Sequence, residues 1–196
     1  MLKSILLVFV AQLATAQEIE LSPIALKYAE RLVASKQKAI EQAEEQITSL
    51  RKSKASKQKI AEAKQVLEKL KQDTSFELPR FKFDFMQEGC VGEFITSERL
   101  GDRTYITEPS RFRVIEILSD SSAIASLNQT TVILKGIETK NLTTETPKQF
   151  PGAFVCKGTE TYQTAGAGNA TVWVFEKFTE HDAAVAYAQK LLKKKK

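Results

Sequence analysis

The sequence has few of the residue types on which most catalytic and metal sites depend. Its 196 residues include one histidine, His181, and two cysteines, Cys90 and Cys156. A Ser-His-Asp triad or a Cys-His dyad would have to use that one imidazole, which lies between Glu180 and Asp182 where a helix is predicted to begin. Two cysteines and one distant histidine also lack the ligand spacing of a zinc site. The sequence therefore predicts no catalytic residue, metal site or cofactor, and it predicts a surface position for His181.

Glycine is also scarce, and its densest cluster, "AGAGN" at residues 165–169, is not followed by a helix. A phosphate-binding loop leads from a strand into a helix, whose N-terminal N–H groups hold the anion. Here the next residues are "ATVWVF", a pattern typical of a strand. We therefore predict a hairpin turn at this point and no nucleotide site.

Acidic and aromatic side chains of the C-terminal half suggest two further kinds of site. Four carboxylates could form the acid pair of a hydrolase, although no pattern singles them out: Asp84, Glu88, Glu93 and Glu116. Six aromatic residues could stack on nucleic-acid bases: Phe81, Phe83, Phe85, Tyr105, Tyr162 and Trp173. Residues 74–192 carry 12 Lys and Arg against 15 Asp and Glu, so they lack the positive charge that nucleic acid requires. The aromatic residues are predicted to be core residues.

Residues 1–16 have the pattern of a secretory signal peptide, with Lys3, an apolar run from Ile5 to Ala14 and a small-residue cleavage pattern ending at Ala16. The pattern predicts a secreted, periplasmic or cell-envelope protein without a transmembrane segment after cleavage. In an oxidising compartment Cys90 and Cys156 could form one disulfide. They could equally be two buried thiols in neighbouring strands, and both interpretations stay open at this point.

Residues 22–73 are predicted to form a helical arm. Ser22 and Pro23 are typical of a helix start, and apolar residues then follow at intervals of three and four, with Lys36 as the one charged interruption: Leu26, Ala29, Val33, Ile40, Ala43, Ile47 and Leu50. This seam stops at "RKSKASKQK" and resumes, shifted by one position, at Ile60. We favour a helical hairpin with its tip near residues 53–56 over one long helix.

The arm offers two kinds of contact. Its seam could pair with a second copy or with a partner helix, or it could pack on itself. Five basic residues near the tip could touch an anionic polymer or lipid surface: Arg51, Lys52, Lys54, Lys57 and Lys59. Such a contact would be weak and salt-sensitive.

Residues 80–178 contain short segments rich in Val, Ile, Thr and Phe, beginning with "FKFDFM", and no helical pattern separates them. This arrangement predicts a small antiparallel β-barrel of about the size of an SH3 or OB domain. A short helix over residues 179–192 and a basic tail, residues 193–196, complete the chain. The predicted fold class is thus α+β.

Residues 130–175 resemble an uncharacterised domain family of secreted proteins from Planctomycetes-type bacteria. The matching positions are Leu134, Lys135, Gly136, Gly152, Phe154, Gly158, Thr159, Thr161 and Tyr162, and the upstream "GCVGEF" is similar to the family's entry strand. The resemblance implies a compact β-barrel and an exported bacterial protein. It implies no site residue and does not cover the helical arm.

Together these patterns favour an exported binding or structural protein without enzymatic activity. In this hypothesis the arm serves self-association or docking, and the barrel contacts a partner. The alternatives are a carboxylate-based hydrolase and an anion-binding protein that uses the basic clusters.

Overall fold

The computed structural model describes residues 20–100, 104–164 and 168–194. The predicted signal peptide, residues 1–16, lies outside these ranges, as do the end of the basic tail and residues 165–167 at the glycine-rich turn. The described chain is α+β, with two N-terminal helices, a curled seven-stranded sheet and a C-terminal helix. Within the described ranges, no helix has the length and apolar content needed to span a membrane.

The N-terminal part forms two helices, α1 (Pro23–Lys52) and α2 (Lys57–Gln72). Ser22 caps α1, because its hydroxyl accepts the Ala25 N–H at 3.2 Å. The chain turns at residues 53–56, where Lys54 adopts a left-handed backbone with φ of 52°. Lys54 occupies a position that glycine normally takes, so the sequence has no glycine to mark this turn.

The two helices pack against each other as an antiparallel hairpin. Lys71 pairs with Glu44 at 2.9 Å, and Lys36 pairs with Asp73 at 3.4 Å near the base. Between the helices only Ile47 and Leu67 are buried in the outer hairpin, which we define as residues 36–72.

The first turns of α1 pack against the body of the protein. They share a core, which we call the second core, with β-strand residues and with α3 (His181–Lys194). The buried residues of this part of α1 are Ala25, Tyr28, Ala29, Leu32 and Val33. The predicted seam omitted Tyr28 and Leu32 and included Leu26, which is 37% exposed. The α3 helix also continues through Lys193 and Lys194, where the sequence predicts the basic tail.

Nine strands follow the hairpin in the part of the chain that the structure describes. They are β1 (Val91–Gly92), β2 (Ile95–Leu100), β3 (Thr104–Pro109), β4 (Arg111–Ser119), β5 (Ser122–Leu127), β6 (Thr130–Lys135), β7 (Lys148–Gln149), β8 (Phe154–Thr164) and β9 (Gly168–Lys177). Seven of them form one sheet in the order β1-β8-β9-β6-β5-β4-β7, and β2 and β3 form a separate pair.

The prediction of a closed antiparallel barrel was wrong in two respects. The sheet is an open, curled half-barrel with β1 and β7 at its edges, and β9 runs parallel to β6. The β8–β9 hairpin follows a connection over residues 136–153, which is long enough to bring β9 beside β6 in the parallel direction. A barrel in which each strand pairs with the next one in the sequence does not contain this crossover.

The segment "FKFDFM" is also not a strand. It forms a single 3-10 turn, Phe83–Phe85, after one isolated bridge between Arg80 and Glu93. Phe81 and Phe83 nevertheless lie on the same side and pack on the core of the sheet, where the Phe81 ring is 4.8 Å from that of Phe175. Aromatic packing therefore holds this segment against the sheet. The segment lacks the ladder of hydrogen bonds that defines a strand.

Phe94 shows how strongly the sheet curls. Its ring lies 4.9 Å from Phe112 on β4 and 5.4 Å from Phe154 on β8, although three strands separate β4 from β8. In a flat sheet these strands would be about 19 Å apart. On β8 and β4 the Tyr162 hydroxyl also donates to the Glu116 carboxylate. The curl encloses the first core, which Phe94, Phe112, Phe154 and Phe175 dominate.

Candidate interaction surface and cysteine pair

One flank of the outer hairpin is rich in small and aliphatic residues, and the exposed Gln46 and Lys59 lie on the same side. A helix turns by about 100° per residue. Counted from the buried Ile47 and Leu67, six small or aliphatic residues lie on the same side of the seam. This apolar flank consists of Ala39, Ala43 and Leu50 on α1 and Ala63, Val66 and Leu70 on α2.

The contacts within the hairpin agree with this assignment. Ala39 and Leu70 line one cavity of about 190 Å³ together with Phe76 at the base of the hairpin. The ion pair between Glu44 and Lys71 lies on the opposite flank, which carries charged side chains of both helices. The outer hairpin is therefore amphipathic across its two flanks as well as along its seam.

The apolar flank is accessible to solvent. The Val66 side chain is 55% exposed, which makes it the most exposed large hydrophobic residue among those described. The other members of the flank are half-buried. The sequence shows the shift of the apolar seam at Ile60. Val66 lies outside that seam, so its exposure follows only from the arrangement of the two helices.

The five predicted anion-contact residues lie at the tip of the hairpin, where the structure brings them together. Arg51 and Lys52 end α1, Lys54 is in the turn, and Lys57 and Lys59 begin α2. All five side chains are exposed. Their mutual repulsion is relieved by water and salt, so the tip is a patch of positive charge that is open to solvent.

The structure also brings the two cysteines together. The Cys156 N–H donates to the Cys90 carbonyl at 2.8 Å, and the Gly89 N–H donates to the Cys156 carbonyl at 2.8 Å. Cys90 precedes β1, and its own N–H donates to the Gln87 carbonyl, so Gly89 and Cys90 together oppose Cys156 in a bulge at the end of the β1–β8 pair. Both are free thiols, and both lie on the first-core side of the sheet.

The two thiols differ in their surroundings. Cys156 is fully buried, and its burial raises the pKa of its thiol, with smaller contributions in the same direction from Cys90 and the Glu88 carboxylate. Cys90 is half-buried and lines a cleft of about 330 Å³ between α1 and the segment before β1. Lys27 and Arg31 of α1 line the same cleft.

His181 is not the free surface residue that the sequence predicted. It is half-buried at the start of α3, where its Nδ1 is 3.2 Å from the Tyr28 hydroxyl of α1. Burial lowers the pKa of His181, Asp182 opposes the shift, and Lys177 adds to it. Burial, and then the charge of Glu93, raise the pKa of Tyr28. These groups join α1 to α3.

The carboxylates considered for a hydrolase lie on separate segments. Asp84 is in the 3-10 turn, Glu88 is beside Gly158, and Glu116 is on β4 with Tyr162. Glu93 is half-buried, and burial raises its pKa while Lys177 opposes the shift. Within the described ranges, no three His, Cys, Asp or Glu side chains are grouped to hold a metal ion.

The aromatic residues considered for base stacking are partly buried where their side chains are described. Phe81, Phe83 and Trp173 pack against the first core, and Tyr162 packs against a small cluster on the other face. They border the core and are not among its fully buried residues. The side chains of Tyr105 and Phe85 lie outside the described ones.

Comparison with known proteins gives no relative for this chain. No family model, curated protein or solved structure matches it. The resemblance of residues 130–175 to a family of secreted bacterial domains therefore stays a prediction.

Proposed function

We propose that this protein is an assembly or docking protein that associates with a second copy of itself through the apolar flank of its outer hairpin. The observation that carries this proposal is the exposure of Val66 on a flank whose other members are only half-buried. Two packed helices cannot cover a seam on every side, and a second hairpin would complete a four-helix bundle.

The size of the flank sets the expected strength of the association. Residues 36–52 of α1 span about 25 Å, and two packed helices are about 18–20 Å wide. Two such faces together would bury about 1,000 Å², which is near the lower limit of specific interfaces. We therefore expect a dimer that dissociates on dilution, in which each copy presents its half-barrel.

The charge of the hairpin is consistent with an antiparallel pair of hairpins. A parallel arrangement would place two basic tips side by side, whereas an antiparallel one separates them by the length of the outer hairpin. We propose, as the pattern of residues 1–16 suggests, that the dimer acts in the cell envelope or outside the cell.

The test is the solution mass of Val66→Glu, with Gln65→Glu as the matched control. Both variants add one negative charge to an exposed position of α2, but Gln65 points away from the seam and from the apolar flank. We expect Val66→Glu to be a monomer at concentrations at which the parent protein and Gln65→Glu are dimers. Equal masses for the two variants, with unchanged helix content, would contradict the use of this flank.

The basic tip supports a second candidate function, contact with an anionic surface. Five cations are exposed within one turn and its flanking helix ends. A cluster of this size attracts anionic lipid at low ionic strength. This contact uses the end of the hairpin, so it is compatible with association through the flank.

A further inference from the structure

We propose that Cys90 and Cys156 form a reversible intramolecular disulfide, with Cys90 as the thiol that reacts first through the cleft beside α1. The proposal concerns a modification site of the half-barrel and does not depend on association of the hairpin. It is carried by the pairing of the two residues, by the side of the sheet they share and by their unequal exposure.

The backbone geometry suits a disulfide. The hydrogen bond from the Cys156 N–H to the Cys90 carbonyl holds the two backbones side by side, and disulfides are found at Cα separations of about 4.4–6.8 Å. Val91 and Val155, the next pair along, both pack in the second core, whereas Cys90 and Cys156 both pack on the first. The two cysteine side chains therefore lie on the same side of the sheet, as a disulfide requires.

The order of events follows from exposure. Cys156 is completely buried, so a reagent in solution cannot approach its sulfur. Cys90 is half-buried and is one of the residues that line the cleft, whose charged lining residues are Lys27, Arg31 and Glu88. Two cations against one carboxylate leave a net positive charge beside Cys90, which favours an anionic disulfide such as oxidised glutathione.

The reaction is a pair of thiol–disulfide exchanges. The Cys90 thiol loses its proton, and its sulfur attacks one sulfur of oxidised glutathione, which releases one glutathione thiolate and leaves a mixed disulfide on Cys90. Cys156 then loses its proton and attacks the Cys90 sulfur, which releases the second glutathione. The protein loses two protons and two electrons, and one oxidised glutathione becomes two reduced molecules.

The disulfide would tie the segment before β1 to β8 at a place where α1 rests on the sheet. Val91 packs with Tyr28 of α1 in the second core. Oxidation would thus fasten the contact between the hairpin base and the half-barrel, and it would close a loop over residues 90–156. Such a loop constrains the unfolded chain, so the oxidised protein should unfold at higher urea concentration than the reduced one.

The experiment measures intact mass after incubation of the reduced, folded full chain with oxidised glutathione. We expect the parent protein to lose two hydrogens, and Cys156→Ser to gain one glutathione on Cys90. Modification of Cys90→Ser at Cys156 should be slower by about tenfold or more, because that sulfur is buried. The same series in the Val66→Glu background separates this result from any effect of association.

A second comparison tests the role of the cleft. Replacing Lys27 and Arg31 by glutamine in Cys156→Ser should slow formation of the mixed disulfide by about threefold at low salt. Lys38→Gln, which changes an exposed cation of α1 outside the cleft, should have no effect. The proposal is overturned if the parent protein stays reduced, if it forms only disulfides between chains, or if Cys90→Ser reacts as fast as Cys156→Ser.

Discussion

Glu180, just before α3, accepts two hydrogen bonds from Ser22, just before α1. The Ser22 N–H donates to Oε1 at 2.9 Å, and the Ser22 hydroxyl donates to Oε2 at 2.6 Å. Ser22 also caps α1, so one side chain begins the first helix and ties it to the last. These bonds lower the pKa of Glu180, which means that the ionised carboxylate stabilises the folded state.

We predict that Ser22→Ala lowers the free energy of unfolding by about 1–2 kcal/mol, because it removes the cap and one of the bonds to Glu180. Glu180→Ala should cost about 1 kcal/mol, and the double variant should cost less than the two together. Urea unfolding at neutral pH measures all three. Strict additivity would show that the two residues are not coupled.

The contribution of Glu180 to stability should disappear as the pH falls through the lowered pKa of its carboxyl, because the unfolded chain binds the proton first.

A second prediction concerns His181. Burial lowers the pKa of this residue, so the unfolded state binds a proton more readily than the folded state does. The contribution of His181 to stability is therefore complete above the ordinary pKa of about 6.5 and is lost as the pH falls towards the folded value.

The measurement is the free energy of unfolding of the parent protein and of His181→Gln between about pH 7.5 and 5.5. The difference between them should shrink as the pH falls. Glu93, whose raised pKa acts in the opposite sense, is present in both proteins and cancels in the comparison. A difference that is constant across this range would show that protonation of His181 does not oppose folding.

Gly92 on β1 should not tolerate a side chain. A Cβ at this position would lie 2.7 Å from the Pro79 carbonyl oxygen and 3.3 Å from the Phe81 ring. The Pro79 oxygen accepts the Glu93 N–H, so the backbone cannot move away without losing this bond. We predict that Gly92→Ala lowers the free energy of unfolding by about 2–3 kcal/mol.

Gly89 provides the comparison for this substitution. It has a φ of 78° but nothing within 4 Å of its Cβ position, so Gly89→Ala should cost only the backbone strain of about 1 kcal/mol. Denaturant unfolding of both variants, with their slopes compared, measures the two costs. A Gly92→Ala protein as stable as the parent would show that the segment from Pro79 to Phe81 is not held against β1 in solution.

The basic tip is tested by changing Arg51, Lys52, Lys54, Lys57 and Lys59 to glutamine together. We predict that the parent protein sediments with vesicles that contain phosphatidylglycerol at low salt but not with pure phosphatidylcholine, and that the variant does not sediment with either. Changing Lys38, Lys64 and Lys69, which lie on the same hairpin away from the turn, should leave most of the binding. If that control loses binding equally, general charge and not the tip is responsible.

Features that depend on neighbouring residues could be predicted from the sequence, whereas contacts between residues far apart in the chain could not. The start of α1 follows from Ser22 and Pro23, and the turn near residues 53–56 follows from the loss of apolar positions there, because both are local effects. The parallel pairing of β6 and β9 depends on a crossover over many residues, which local patterns do not encode. His181 and Tyr28 are 153 positions apart, and nothing in either sequence neighbourhood indicates that they meet.

The candidate sites also differ in how far the sequence predicts them. The basic tip could be predicted, since its members are neighbours in the sequence. The sequence suggested the cysteines as a pair, but only the structure shows that Cys90 opposes Cys156 and that they are unequally exposed. The apolar flank could not be predicted from the sequence, because residues of α1 and α2 share one face only when the two helices lie side by side.

Light scattering from the unmodified protein, over a wide range of concentrations at low and at high salt, tests the central claim most directly. An interface of apolar side chains predicts a mass that rises from monomer to dimer with concentration and is nearly the same at both salt concentrations. A monomer at every concentration would contradict association through the apolar flank. A dimer that dissociates in high salt would show that charged groups, and not this flank, hold the two copies together.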